Sequence, residues 1–471
     1  MSAVSVGRQL LNLPLGLLSA IVLTRFFAPA DYGRFGILVF LTTLPLMVGD
    51  LGLTQAFIRH RDEPAPEAMR AAGSAQMWVA LLAFPVIMVL GASAVAMPLA
   101  RSAPLIAVLY VPTLATGITV RANVLLARRL DFARLAALDL VQQVAYLALL
   151  AATGLAGLGT AGLVVTSALT QTGRLAVLAR WYPMLPAMRP RMGTLRATIA
   201  SGLPMHLSGI LSGFHAGMVN WLGAALLGPA AVGFLRWSLE LTSKAGITLA
   251  QSVGRVVFPT VALLQDEPAR VQRVVARACR YNLLVVGVPL ALLAGLVQPV
   301  IAALFGGRWM PAAAPLQVYA VHMTLGALVI ALDAAVQVLR PTTWMLAVWA
   351  GYLALEVALA MAMAPWLGLL AIPVAQLAAT APKALVIRRL LPAAARPRWM
   401  PDVLLPVFAA LGAFAVAQLA ATILAPWPAI LAGGTAGALA AAALVFALGR
   451  AEVWPDLLRD VRRLAPDRSP S

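Results

Sequence analysis

From Gln9 to Gly449, apolar stretches follow one another with only short turns between them. Each is about 20 residues long, enough to cross the hydrocarbon core of a bilayer. No other feature limits the fold as strongly. In lipid every backbone amide and carbonyl must be satisfied within the chain, so such stretches become helices packed on helices. Composition agrees: 62% of the residues are hydrophobic and only 11% charged, where a soluble domain carries about a quarter charged. The chain reads as an all-α polytopic membrane protein.

Breaks at Gly/Pro turns and Arg-rich loops predict fourteen spans. They lie near 9–27, 33–57, 71–97, 104–127, 135–155, 161–180, 203–227, 230–260, 279–303, 312–337, 344–364, 366–388, 403–424 and 427–449. A polar, basic link over 181–202 separates the first six from the next six. The expected organisation is a six-helix lobe at 1–190, a second at 200–390, two additional helices at 403–449 and a charged cytoplasmic tail at 450–471. The first span, followed at once by others, reads as a retained helix rather than a cleaved signal.

The net charge of +18 resides mostly in arginine, since Lys244 and Lys383 are the only lysines. A basic surface attracts phosphate backbones, but the distribution excludes nucleic acid as a partner. Alternate loops hold the arginines, beginning with Arg59, Arg61 and Arg70 and then Arg128, Arg129 and Arg134. The opposite loops and their flanks hold only Arg25, Arg34, Arg101 and Arg308. This positive-inside pattern predicts a bacterial inner-membrane protein with both termini cytoplasmic.

Outer loops such as APADYG, GLGTAG and LLGPAA are too short to carry an external domain, which argues against a membrane glycosyltransferase or polymerase. There is no G-x-x-x-x-G-K-[ST] phosphate loop and no recognisable serine, histidine and acid trio. One cysteine, Cys279, and four scattered histidines (His60, His206, His215, His322) lack metal-ligand spacing. No catalytic residue, metal or cofactor is expected, and the protein is not expected to be an enzyme.

The chain also repeats itself. Pro29 and Gly33 of FFAPADYGRF match Pro229 and Gly233 of LLGPAAVGFL, and VRANVLLARR matches LDAAVQVLRP, pairing Arg121 with Asp333 and Arg128 with Arg340. The matched segments keep one orientation under the loop rule, so the repeat is parallel. Parallel repeats meet about an axis normal to the membrane and place the substrate between the halves.

The segments TRFFAPADYGRFG, DLGLTQAFIRHRD, GPAAVGFLRWSLEL, VVFPTVALLQ and LFGGRWMPAAAPLQVYA follow one another in a characteristic order. In these the chain resembles the polysaccharide-biosynthesis flippases for O-antigen and exopolysaccharide units, within the multidrug/oligosaccharidyl-lipid/polysaccharide exporter superfamily. The resemblance implies two six-helix lobes around a cavity plus two extra helices. It implies transport of a polyprenyl-diphosphate-linked oligosaccharide for surface polysaccharide such as lipopolysaccharide. Partners would then be that substrate, membrane lipids, and a polysaccharide polymerase and glycosyltransferases. A multidrug or cation exporter and a lipid II flippase of the same superfamily are the alternatives. The second lobe departs from the pattern, with GPAAVG in place of APADYG.

Ionisable side chains deep in a span face a partner or a wet cavity. Arg236, Glu240 and Lys244 stand at i, i+4 and i+8 on one helix face, at ion-pair spacing. They form either a self-neutralising ladder or a cavity wall. In the second case arginine and lysine meet a diphosphate, which a guanidinium fork accepts with two oxygens at once. Arg25 and Arg121 add positive charge, giving a candidate substrate-binding set of Arg25, Arg121, Arg236 and Lys244. Asp50, Glu240, Asp333 and Glu356 are the candidates for coupling or charge tuning. Asp50 reads equally as a structural cap, and Glu356 either carries a coupling proton or hydrogen-bonds as a neutral acid. Arg174, Arg255 and Lys383, near inner ends, are expected to snorkel or touch lipid headgroups.

Overall fold

The structure is a computed structural model that describes residues 3–59, 63–129, 131–186, 192–340, 342–398 and 400–449. His60 and the tail at 450–471 lie outside the described residues. Among the described residues the chain forms fourteen main helices, some interrupted, and no strand. The first six are α1 (Ala3–Phe26), α2 (Pro29–Gly49), α3 (Pro66–Ala94), α4 (Leu99–Ala115, then Val120–Arg128), α5 (Phe132–Leu155) and α6 (Gly159–Trp181). There follow α7 (Met192–Ala216, then Met218–Leu226), α8 (Pro229–Leu263), α9 (Pro268–Gly295) and α10 (Ala313–Leu339). The last four are α11 (Thr342–Leu367), α12 (Ala371–Leu390), α13 (Leu405–Ile423) and α14 (Gly434–Gly449). Among the described residues nine helices are long and apolar enough to cross a membrane by themselves. The fold class read from the sequence is the one observed.

Proline sets several helix starts. Pro29, Pro66 and Pro268 occupy the first turns of α2, α3 and α9, where a missing N–H is harmless and the ring pre-sets φ. Two helices begin well before their predicted spans, α7 at Met192 rather than near 203 and α9 at Pro268 rather than near 279. Arg270, Arg273 and Arg277 resemble loop, but Val271, Val275 and Cys279 recur at helical spacing and are buried. A buried stripe, rather than mean hydropathy, extends α9 beyond the apolar window. The last span is also interrupted: a π turn at Ala429–Gly433 precedes α14.

Contacts divide the chain into two compact units, Met1–Trp237 with Thr342–Ile372 and Ser238–Pro341 with Pro373–Ser471. In the first, α2 packs against α3 and α4 through Ile37, Leu38, Ile106 and Tyr110, all nearly inaccessible. Two buried hydroxyls inside it are satisfied: Tyr110 Oη donates to Ala80 O at 2.6 Å and Thr113 Oγ1 to Thr42 O at 3.0 Å. In the second, α9 is the hub for α10 and α13, with Val286, Leu290, Ala320 and Ala327 in one core cluster. Asn282 Nδ2 donates to Ala327 O at 3.1 Å, tying α9 to α10. The segment leading into α13 is clamped by Asp402, which takes Arg280 Nη2 at 2.7 Å and the Arg398 N–H at 2.8 Å.

Candidate functional site

The two matched turns, APADYG and GPAAVG, meet. A Cβ on Gly33 would stand 1.7 Å from Pro229 O, and one on Gly233 would stand 1.9 Å from Pro29 O. The starts of α2 and α8 thus cross with each glycine against the other turn's proline carbonyl. Only glycine permits so close an approach. One turn on, Gly36 leaves room for the Arg236 side chain and Asn220 Oδ1, both at 2.7–2.8 Å from where its Cβ would be.

That crossing decides where Arg236 lies. Its guanidinium carbon sits 5.1 Å from the Tyr32 ring centroid and 5.6 Å from that of Phe35, and Nη1 reaches Asn220 Oδ1 at 3.4 Å. Aromatic faces hold a cation by their quadrupole where water is scarce. The spacing along α8 identified the arginine but not its platform, which comes from α2. Glu240 is half-buried and Lys244 is exposed further along the same helix. Arg25 is exposed in the last turn of α1.

Arg121 is half-buried; Nη1 donates to Pro183 O at 3.2 Å, while its buried Nε has no hydrogen-bond partner. The matched pair Arg128 and Arg340 do the same job. Arg128 Nη1 donates to Phe57 O at 2.9 Å and Arg340 Nε to Leu390 O at 2.8 Å, each a carbonyl in the last turn of a helix, where cations are favoured.

The acids differ in surroundings. Asp50 follows α2 where Leu51 and Gly52 take positive φ, and its Oδ1 accepts from Gln76 Nε2 at 3.0 Å and from Thr54 Oγ1. Asp31, which no sequence argument singled out, accepts from Thr160 Oγ1 at 2.7 Å and pairs with Arg34, pinning APADYG to GLGTAG. Glu356 is fully buried; Oε2 lies 2.8 Å from His215 Nδ1, and Oε1 has no hydrogen-bond partner. The rings of Trp349 and Tyr352 close over that histidine, at 5.8 and 5.1 Å between centroids. Asp333 also has a buried, unpartnered Oδ1, and Lys383 lies within electrostatic reach of it.

Two basic residues depart from the snorkelling expectation. Lys383 is only 8% exposed, and Arg174 pairs with Asp139 and donates to Gln142 Oε1 at 3.2 Å. Both are held by the fold rather than extended to an interface. The Arg255 side chain lies outside the described ones. No group of three potential metal ligands occurs among the described residues.

A family described as "Polysaccharide biosynthesis protein" matches residues 22–314. No curated protein matches the chain by sequence. Solved structures share its fold at low identity. One described as "Lipid II flippase MurJ, inward closed conformation" superposes with a TM-score of 0.77 at 11% identity, covering 95% of this chain and 98% of that one. An inward-facing multidrug resistance MATE family transporter of the MOP superfamily gives 0.61 at 17% identity, over 81% of this chain and 94% of that one. The architecture is therefore that of these fourteen-helix membrane proteins.

Proposed function

Because this chain belongs to the polysaccharide biosynthesis protein family, we propose that it flips polyprenyl-diphosphate-linked oligosaccharide units across the bacterial inner membrane for cell-surface polysaccharide. The family match over 22–314 carries this reading. The fold, shared with proteins described as a flippase and a transporter, supports it. The loop arginines support a chain with both termini in the cytoplasm. We take the working parts to be lobes at 1–190 and 200–390, with 403–449 appended, moving by alternating access.

In this mechanism the inward-open lobes receive the diphosphate on Arg25, Arg121, Arg236 and Lys244, and the lipid tail stays in the bilayer. Arg236, pre-set on Tyr32 and Phe35, holds its guanidinium in a fixed plane. The membrane potential is worth about 2.3 kcal/mol per charge per 100 mV, so two negative charges leaving a negative interior gain roughly 4–5 kcal/mol. Asp50, Glu240 and Asp333 tune the charge. Glu356 with His215 holds the coupling proton, since a proton moving on or off the pair changes the charge of a dry site and so biases one conformation over another.

The experiment is Arg236→Ala and Lys244→Ala in cells, scoring undecaprenyl-linked sugar on the inner leaflet. Accumulation is expected in both. Wild-type export in both would remove these residues from the substrate path, and rescue of cell-wall precursor export instead would identify lipid II as the cargo.

A further inference from the structure

Helices α2, α4, α5 and α6 of the first unit line an open chamber of about 430 Å³. That volume falls within the range of ligand pockets, roughly 300–1,000 Å³. Its wall is rich in hydroxyls whose hydrogens are already committed. Thr43 Oγ1 donates to Phe40 O at 2.7 Å, Thr116 Oγ1 to Thr113 O at 2.7 Å, and Thr170 Oγ1 to Thr166 O at 2.8 Å. Thr113 spends its hydrogen on the Thr42 carbonyl, and Ser167 Oγ receives Gln171 Nε2 at 2.7 Å. A hydroxyl oxygen has two acceptor sites, which remain after its hydrogen is used. The wall therefore presents mostly acceptors, with the Ser167 hydroxyl and the Gln142 amide N–H groups as donors among them.

Charge in the chamber is balanced as well. Arg174 on the wall is paired with Asp139 and bonded to Gln142, so an anion entering would meet a cation already neutralised. Between the hydroxyls lie apolar surfaces, Leu109 and Pro112 from α4 and Leu46 from α2, with the Tyr146 ring from α5. Acceptors alternating with apolar faces, with no net charge, do not suit a diphosphate. They suit a neutral polyol, whose hydroxyls donate and whose C–H faces pack.

We propose that this chamber binds uncharged sugar residues, separately from the cationic set that takes the diphosphate. The polyol chemistry stands on the wall itself; that the sugars belong to the transported lipid rests on the function proposed above. The division predicts a substrate gripped at two places, with glycan selectivity residing in the first lobe's interior.

The test uses the full-length purified protein with free neutral disaccharides (lactose, cellobiose and chitobiose) at millimolar concentration, read by saturation-transfer NMR and calorimetry. Saturable binding of at least one is expected, with no displacement by inorganic pyrophosphate. Thr43→Val/Thr170→Val keeps shape and removes two acceptors, and should weaken binding about tenfold, two hydrogen bonds of ordinary strength. Ser167→Leu, which narrows the chamber, should abolish it while the thermal midpoint verifies folding. No saturable binding to the wild type, equal binding to both variants, or displacement by pyrophosphate would each overturn the assignment. None of these results bears on the export phenotype of Arg236→Ala, so failure here and failure of the flippase reading are distinguishable.

Discussion

Adding one methyl group where the APADYG and GPAAVG turns cross should loosen the whole first unit. A Cβ on Gly33 would sit 1.7 Å from Pro229 O and 2.8 Å from Gly233 N. Relaxed heavy-atom contacts need about 3.5 Å, so α2 and α8 must part by about 1.5–2 Å. The obstacle is backbone rather than a swinging side chain, so the helices themselves must move. Overpacking of this kind costs about 1–3 kcal/mol, offset by roughly 0.5–1 kcal/mol from replacing a helical glycine with alanine. Gly33→Ala should therefore lose about 1–2 kcal/mol. Gly233→Ala should behave alike, because its Cβ would meet Pro29 O at 1.9 Å. The double variant should lose much less than the sum, since one separation relieves both clashes. The assay is unfolding of detergent-purified protein, with Gly326→Ala as control because a Cβ there meets nothing within 4 Å. Gly33→Ala as stable as Gly326→Ala, or strict additivity in the double variant, would refute the reasoning.

Asp402→Ala strands Arg280, only 6% exposed, and should destabilise the second unit by about 3–5 kcal/mol; the first new protease cut should fall near Arg398. By contrast Glu267→Ala removes an exposed partner of Arg270 and should change stability by less than about 1 kcal/mol. Thr160→Val and Asp31→Asn should couple in a double-mutant cycle by about 1 kcal/mol, measured from unfolding midpoints. Glu356→Gln keeps a hydrogen-bonding group beside His215 but removes the ionisable one. Export in that variant should persist and no longer respond to a collapsed pH gradient, and an unchanged response would take Glu356 out of coupling.

The helical layout was legible because lipid leaves the backbone few options, and because prolines such as Pro29 and Pro268 mark helix starts. Long-range partners were not. His215 and Glu356 are 141 residues apart, and neither has a signal in its own helix that names the other. Arg236 was visible by its spacing to Glu240, yet the rings that hold it belong to a helix two hundred residues earlier. Depth sorting misplaced Lys383 because distance from a span's end says nothing of which face the residue occupies. The chamber was invisible for another reason. A threonine bonded to its own helix looks in sequence like filler, and only the convergence of four helices gives its oxygen a direction.

The glycine–proline crossing is also reciprocal. Residue 29 answers residue 233 while residue 229 answers residue 33, which is the rule of an isologous interface between identical subunits. The reciprocity does not extend to every residue, since Ala231 stands where Asp31 does in the first turn. At the crossing neither turn tolerates a side chain alone, because each glycine lies against the other turn's proline carbonyl.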